Sequence, residues 1–278
     1  MRERIRRICA VANHEAWRHF SGQRMWVIAP LVILFIALGA WGFSDPAFDD
    51  GLFNVETATD AMFLTSIVIV VLSPLSVVLI GFDAISKRRI TGELAIDLSQ
   101  PMPRSDYAIS QLLGVWGAAN GPTQLGLWAG IVLIYTRMGM FPPLGDILVM
   151  WVATMLLLLW YSSLQLLASS YARDLGASVT WGIGTWLVFG PFLWIIPTMV
   201  LATMLGVDVT DTLSVSYDRL QERVDLFSPN GVFQLMLETR HSPDQQPLLN
   251  GAWIWLAGLC WAVLPSALFV RRIQRMTA

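Results

Sequence analysis

The sequence predicts an all-α membrane protein, with six transmembrane helices preceded by an N-terminal amphipathic helix in the membrane interface. Three observations carry this reading. Hydrophobic residues make up 55% of the chain and charged residues 14%, whereas a soluble domain carries about 25% charged residues. The apolar residues gather into runs that reach the roughly 20 residues needed to cross a hydrocarbon core about 30 Å thick. The cations collect in every second connection between those runs, the pattern that sets the orientation of membrane helices.

Residues 1–24 come first and are basic. Plotted at 100° per residue, Ile5, Ile8, Cys9, Ala12, Ala16 and Phe20 share one face, and Arg4, Arg7, Glu15 and Arg18 group opposite. Two readings fit: a helix lying in the interface ahead of the first span, or a cytoplasmic helix packed on its own protein. Spans are expected at about 25–43, 61–82, 109–135, 147–170, 177–205 and 251–270. The first is too long for a signal-peptide core and lacks a clear small-residue cleavage site, so it reads as a retained anchor. The third contains Gly117, Gly121, Gly126 and Gly130, two G-x-x-x-G spacings that allow close helix approach, interrupted by Asn120, Pro122, Thr123 and Gln124. Such a polar break either lines a pathway or is a kink satisfied by neighbouring helices. Gly190-Pro191 and Pro197 predict that the fifth run is kinked or broken. Residues 206–250 form one long external segment, where Phe227, Val232, Phe233, Leu235, Met236 and Leu237 around Ser228-Pro229-Asn230-Gly231 predict a short amphipathic helix at the outer surface. Residues 271–278 are a basic tail.

Six spans put both termini on one side. That side holds Arg2, Arg4, Arg6, Arg7, Arg18 and Arg24, then Lys87, Arg88, Arg89 and Arg104, then Arg173, and finally Arg271, Arg272 and Arg275. The other side holds only Arg137, Arg219, Arg223 and Arg240, with the acidic Asp45, Asp49, Asp50, Glu56 and Asp60. Both termini are therefore expected in the cytoplasm, and the protein in the cell's inner (plasma) membrane. The net charge of −2 averages a basic face and an acidic one, and gives no reason to expect a nucleic-acid partner. Cys9 and Cys260 fall in different compartments of this layout, so no disulfide is expected.

The chemistry that cannot be written narrows the function. Lys87 is the only lysine, and Arg88 follows it, so no G-x-x-x-x-G-K-[ST] phosphate loop exists and any ATP hydrolysis belongs to another chain. His14, Glu15 and His19 approach a zinc-protease signature, but the second histidine falls five residues on, and the two imidazoles diverge by about 140° at helical pitch. They read as interfacial polar residues. His241, with Asp244 nearby, reads as solvated. There is no G-x-S-x-G elbow and no C-x-x-C pair. The span interiors carry almost no ionisable groups, which argues against intramembrane proteolysis and ion-coupled transport. No catalytic residue, metal site or bound cofactor is expected in this chain.

The connection at 81–104 reads as a helix leaving the membrane, a break at Gly92, a short helix ending before Ser99-Gln100-Pro101, then re-entry. It is either a force-transmitting element or a solvated linker. Its residues resemble the signature of type-2 ABC transporter permeases, in which a D-A-I stretch leads to G-T-L and then to S-x-P-x-S-R. Asp83-Ala84-Ile85, Gly92, Leu94, Ser99, Pro101 and Arg104 fall on that pattern in register, and 228–235 resembles the family's Asn-Pro-x-x-x-[FY] element. The chain departs where Lys87, Arg88 and Arg89 replace acidic residues before the glycine and Glu93 replaces threonine. Within the family it looks most like permease subunits serving copper-site maturation of nitrous oxide reductase.

The resemblance implies a type-2 ABC exporter fold and a permease working with cytoplasmic ABC ATP-binding subunits that hold the ATP and Mg. It also implies a second permease copy, surrounding membrane lipid and a periplasmic accessory protein. On this reading the coupling contact to the ATPase comprises Lys87, Arg88, Arg89, Gly92, Glu93, Leu94 and Asp97, with Arg173 and Asp174 in the turn Tyr171–Asp174 as a second contact. Gly117, Asn120, Gly121, Gln124, Gly126 and Gly130 are candidates for the pathway or for helix packing. A different class of function fits the same basic face: a non-transporting scaffold or assembly factor that recruits a soluble partner.

Overall fold

The computed structural model describes residues 2–45, 55–190, 194–209, 214–240 and 246–276, and the described residues contain helices and no strand. In chain order these are α1 (Arg2–Phe20), α2 (Met25–Phe43), α3 (Ala58–Gly81), α4 (Ser86–Thr91), α5 (Glu93–Ser99), α6 (Arg104–Met138), α7 (Leu144–Tyr171), α8 (Leu175–Phe189), α9 (Ile195–Leu205), α10 (Val215–Asp225), α11 (Pro229–Glu238) and α12 (Gly251–Gln274). Four are long and apolar enough to cross a membrane: α2, α3 with its continuation into α4, α7 and α12.

Start signals are legible locally. Thr57 and Asp60 form a reciprocal capping box at α3, with the Thr57 N–H donating to Asp60 at 2.8 Å. Asp174 caps α8 by accepting from the Ala177 N–H at 2.7 Å.

The helix α6 is 35 residues long and less apolar than α2, α3, α7 and α12. Its position explains that composition. It packs against α1, α2, α3, α7 and α12, so much of its surface meets protein rather than lipid and tolerates Gln111, Thr123 and Gln124, all buried. Its glycines set the spacing. An added Cβ at Gly114 would lie 2.6 Å from that of Glu15 on α1, and one at Gly130 2.9 Å from that of Ala40 on α2. Gly117 and Gly121 face Ala16 and Phe20 of α1, and Gly126 faces Ile33 and Ile36 of α2. One glycine row thus serves two successive neighbours.

Three expectations need correcting in detail. The run 177–205 is broken, as its Gly190-Pro191 predicted, with α8 ending at Phe189 and α9 starting at Ile195; the correction is only that each piece is a separate short helix. The segment 206–250 contains two helices, α10 and α11. Moreover, α11 does not lie on the surface: Val232, Phe233, Leu235, Met236 and Leu237 are buried against α7 and α12, while Phe227 stands outside it and is 71% exposed. A ten-residue segment with apolar side chains on most of its circumference is a wedge, not a raft. Finally, Glu15 does not share the solvated face of α1 with Arg4 and Arg7. It is buried against α6.

Candidate functional site

The connection between α3 and α6 folds as an elbow. Its bend is Gly92, at φ +80°, where a left-handed backbone ends α4 and begins α5. The elbow is anchored by Arg88. Its guanidinium donates from Nη2 to Glu15 Oε2 of α1 at 2.6 Å, and from Nη1 to Asp97 Oδ2 of α5 and Tyr107 Oη of α6, both at 2.9 Å. Tyr107 closes the cluster by donating to Asp97 Oδ2 at 3.1 Å. Arg88 is 4% exposed, so a buried cation with two carboxylate partners joins four helices. Burial pushes the Glu15 carboxyl up, but hydrogen bonding from Arg88 and the charges of Arg88 and Arg18 outweigh it and hold Glu15 below the usual carboxylate range.

Serines staple the elbow to the bundle. Residues 82–85 leave backbone groups free between α3 and α4. Ser169 Oγ of α7 accepts from the N–H groups of Ile85 and Ser86 at 3.3 and 3.1 Å and donates to the Phe82 carbonyl at 2.8 Å. Ser178 Oγ of α8 donates to the same carbonyl. Arg89 reaches the Ser170 carbonyl at 3.2 Å. The signature residues are structural here: Asp83 pairs with Arg24 at 2.7 Å, Ala84 and Ile85 are buried, and Arg104 donates to the carbonyls of Gln274 and Met276 at 3.2 and 2.6 Å. Arg4 holds Asp106 in a forked pair at 2.9 and 2.6 Å.

The predicted contact residues therefore divide. Arg88 and Leu94 are buried and hold the elbow in place, and Asp97 is half-buried within the same cluster. Lys87, Gly92 and Glu93 are exposed, Arg89 is half-buried, and Ile90 and Ile96 are 55% and 65% exposed, Glu93 and Ile96 at a cleft shared with α1. Arg173 and Asp174 are exposed in the α7–α8 turn that Arg89 touches through Ser170. Among the α6 candidates, Gln124 donates to Asn120 Oδ1 at 3.2 Å and to the Trp151 carbonyl at 3.4 Å. Those residues and their glycines are engaged with α1, α2 and α7. His241 and Asp244 lie outside the described residues.

Sequence reasoning missed Glu15, Tyr107, Ser169 and Ser178. The serines carried a signal: Ser162-Ser163 and Ser169-Ser170 recur at a spacing of seven on α7, marking one polar stripe on an otherwise greasy helix. Glu15 and Tyr107 carried none, because their partner lies 73 and 19 residues away.

At the opposite end of the bundle, α11 is held by its apolar side chains and a few polar contacts. Tyr161 Oη of α7 donates to Asn230 Oδ1 at 3.0 Å, and Arg240 pairs with Asp146 at 2.8 Å. Asp146 also accepts from Thr59 Oγ1 at 2.9 Å.

A helical bundle with several membrane-length apolar helices, carrying an anchored elbow at one end, is the architecture of an integral membrane protein. Residues 9–277 match the family described as ABC-2 family transporter protein, and the chain belongs to that family. It is the membrane subunit of an ABC transporter, the transmembrane component rather than the ATPase. No curated protein matches it in sequence.

Proposed function

We propose that this chain is the permease of an ABC exporter in the inner membrane, with both termini cytoplasmic, and that the elbow α4–α5 receives the stroke of a separate ATP-binding subunit. In this reading six spans cross the bilayer: α2, α3, α6, α7, the broken pair α8–α9, and α12. Two copies of the chain pair with two ATPase subunits that hold ATP and Mg. The observation that carries the proposal is the pairing of an exposed face with a buried anchor. Ile90, Glu93 and Ile96 are exposed, while Arg88 ties the elbow that carries them to α1 and α6. A load on the elbow passes to α1 and α6 without first passing through a flexible loop. The turn at Arg173 and Asp174 is the second contact.

Export direction and a place in nitrous oxide reductase maturation, with a periplasmic accessory protein, rest on the resemblance at 81–104. A non-transporting scaffold would recruit a soluble partner through the same face, without turnover. The experiment is co-purification of the ATP-binding subunit with the full-length chain carrying Ile90→Asp and Ile96→Asp together. The exporter reading expects a P-loop subunit to accompany the wild type and to be lost from the double variant, with ATPase activity in the wild-type complex. A complex retained at wild-type stoichiometry by the double variant overturns the elbow assignment. A wild-type complex that hydrolyses no ATP supports the scaffold.

A further inference from the structure

A cavity of about 500 Å3 lies between the α1–α2 turn and the junction of α3 with α4. Its charged lining is Arg18, Arg24 and Lys87 around Asp83 and Glu93, with the anchored Arg88 behind them. Its apolar lining is Met25 and Ile80, the first residue of α2 and the last but one of α3. A pocket of cations at the ends of two apolar helices has the polarity profile of the headgroup level of a bilayer.

The donors have capacity to spare. Arg18 and Arg24 each meet one carboxylate, Glu15 at 3.0 Å and Asp83 at 2.7 Å, and their side chains remain 45% and 49% exposed. A guanidinium has five N–H donors, so most stay available. Lys87 is exposed, and its ammonium has no ion pair or hydrogen bond among the described residues. His19 also lines the cavity, and its Nε2 is buried with no hydrogen-bond partner. Such an atom in a charged cleft asks for a ligand. Trp17 and Trp26, 69% and 78% exposed, flank the cavity in sequence and suit the membrane–water boundary.

We infer that this cavity binds the phosphate headgroup of an anionic membrane lipid. Lys87 and the free N–H donors of Arg18 and Arg24 take the phosphate oxygens, and His19 contributes one further hydrogen bond. The inference rests on α2 and α3 crossing a bilayer; the cavity shares Lys87 and Glu93 with the elbow, so lipid retention is read on the chain without the ATPase.

Native mass spectrometry of the full-length protein in detergent, doped with equal phosphatidylglycerol and phosphatidylcholine, tests it. Phosphatidylglycerol is expected to be retained selectively. Lys87→Gln should lower that selectivity about fivefold, the effect of one cation near an anionic surface. Arg6→Gln, on the exposed side of α1, should leave it unchanged. His19→Leu should lower it and His19→Gln should restore it. Equal retention of the two lipids overturns the inference, as does a selectivity indifferent to both Lys87→Gln and His19→Leu. Millimolar inorganic phosphate should not displace the lipid; displacement would make free phosphate the ligand and the lipid assignment wrong.

Discussion

The two ends of the bundle are held by opposite means. At one end the elbow α4–α5 buries almost no apolar side chain except Leu94, and depends on Arg88 with Glu15, Asp97 and Tyr107. At the other, α11 is wedged in by Val232, Phe233, Leu235, Met236 and Leu237, with Tyr161–Asn230 and Arg240–Asp146 as its polar fastenings. Apolar packing is non-directional and tolerates small shifts. A buried ion cluster has one good geometry, and breaking it leaves charges stranded. The first seats α11 in a groove between α7 and α12; the second fixes the elbow to the helices it grips.

The largest test of that contrast removes the charged anchor. Arg88→Ala leaves the buried Glu15 with Arg18 alone and Asp97 with Tyr107 alone, and should cost about 3–4 kcal/mol, read as a fall in thermal unfolding temperature in detergent. Arg88→Lys should recover only part, because an ammonium cannot span both carboxylates as the fork does. At the wedge, Phe233→Ala, from a fully buried position, should cost about 3 kcal/mol through the cavity it leaves. The two should add within about 0.5 kcal/mol if the ends are independent units; a double variant that departs further joins them into one. Tyr161→Phe should cost only about 1 kcal/mol, one buried hydrogen bond, which would place α11 mainly on its apolar contacts.

Acid offers a finer separation, since the ends should respond with opposite sign. Burial, then the charge of Arg18, lowers the His19 imidazole to about 4, so the unfolded chain binds more protons between about 6.5 and 4. The α1 end loses stability as pH falls through that window. Burial, then repulsion from Asp225, Glu222 and Asp218, raises the Glu238 carboxyl to about 7. Here the folded chain binds more protons between about 4.5 and 7, so the α11 end gains stability over nearly the same fall. Hydrogen exchange of α1 and α11 amides, measured at pH 7.5 and 5.5 and corrected for the intrinsic rate, should show protection falling in α1 and rising in α11. Glu238→Gln should reduce the second change, leaving the part that belongs to Asp225, which burial and then Glu222 raise to about 6.

Much of this architecture was readable in the chain. Composition and run length announce membrane helices, Thr57, Asp60 and Asp174 mark helix starts, and the glycines at 117, 121, 126 and 130 announce close approach. They do not say to what: a spacing of four specifies a face, and only the tertiary arrangement assigns its first half to α1 and its second to α2. The same limit governs the elbow. Gly92 is legible as a break because few other residues accept φ +80°. Arg88 reads from sequence as one more surface cation among Lys87 and Arg89, because the carboxylate that buries it comes from Glu15, on another helix. The α11 wedge misleads for a related reason: a short amphipathic segment looks alike whether its apolar face meets lipid or a groove between α7 and α12.

The proposed contact between the elbow's exposed residues and the ATP-binding subunit is open to a direct test. With Cys9 and Cys260, both exposed, replaced by serine, Ile96→Cys can be cross-linked by a short bifunctional reagent in the assembled, ATP-hydrolysing complex. The account predicts a cross-linked product containing this chain and the ATP-binding subunit, with a yield that differs between ATP and ADP. A complex that hydrolyses ATP at the wild-type rate yet gives no cross-link from Ile96→Cys or Ile90→Cys would contradict it.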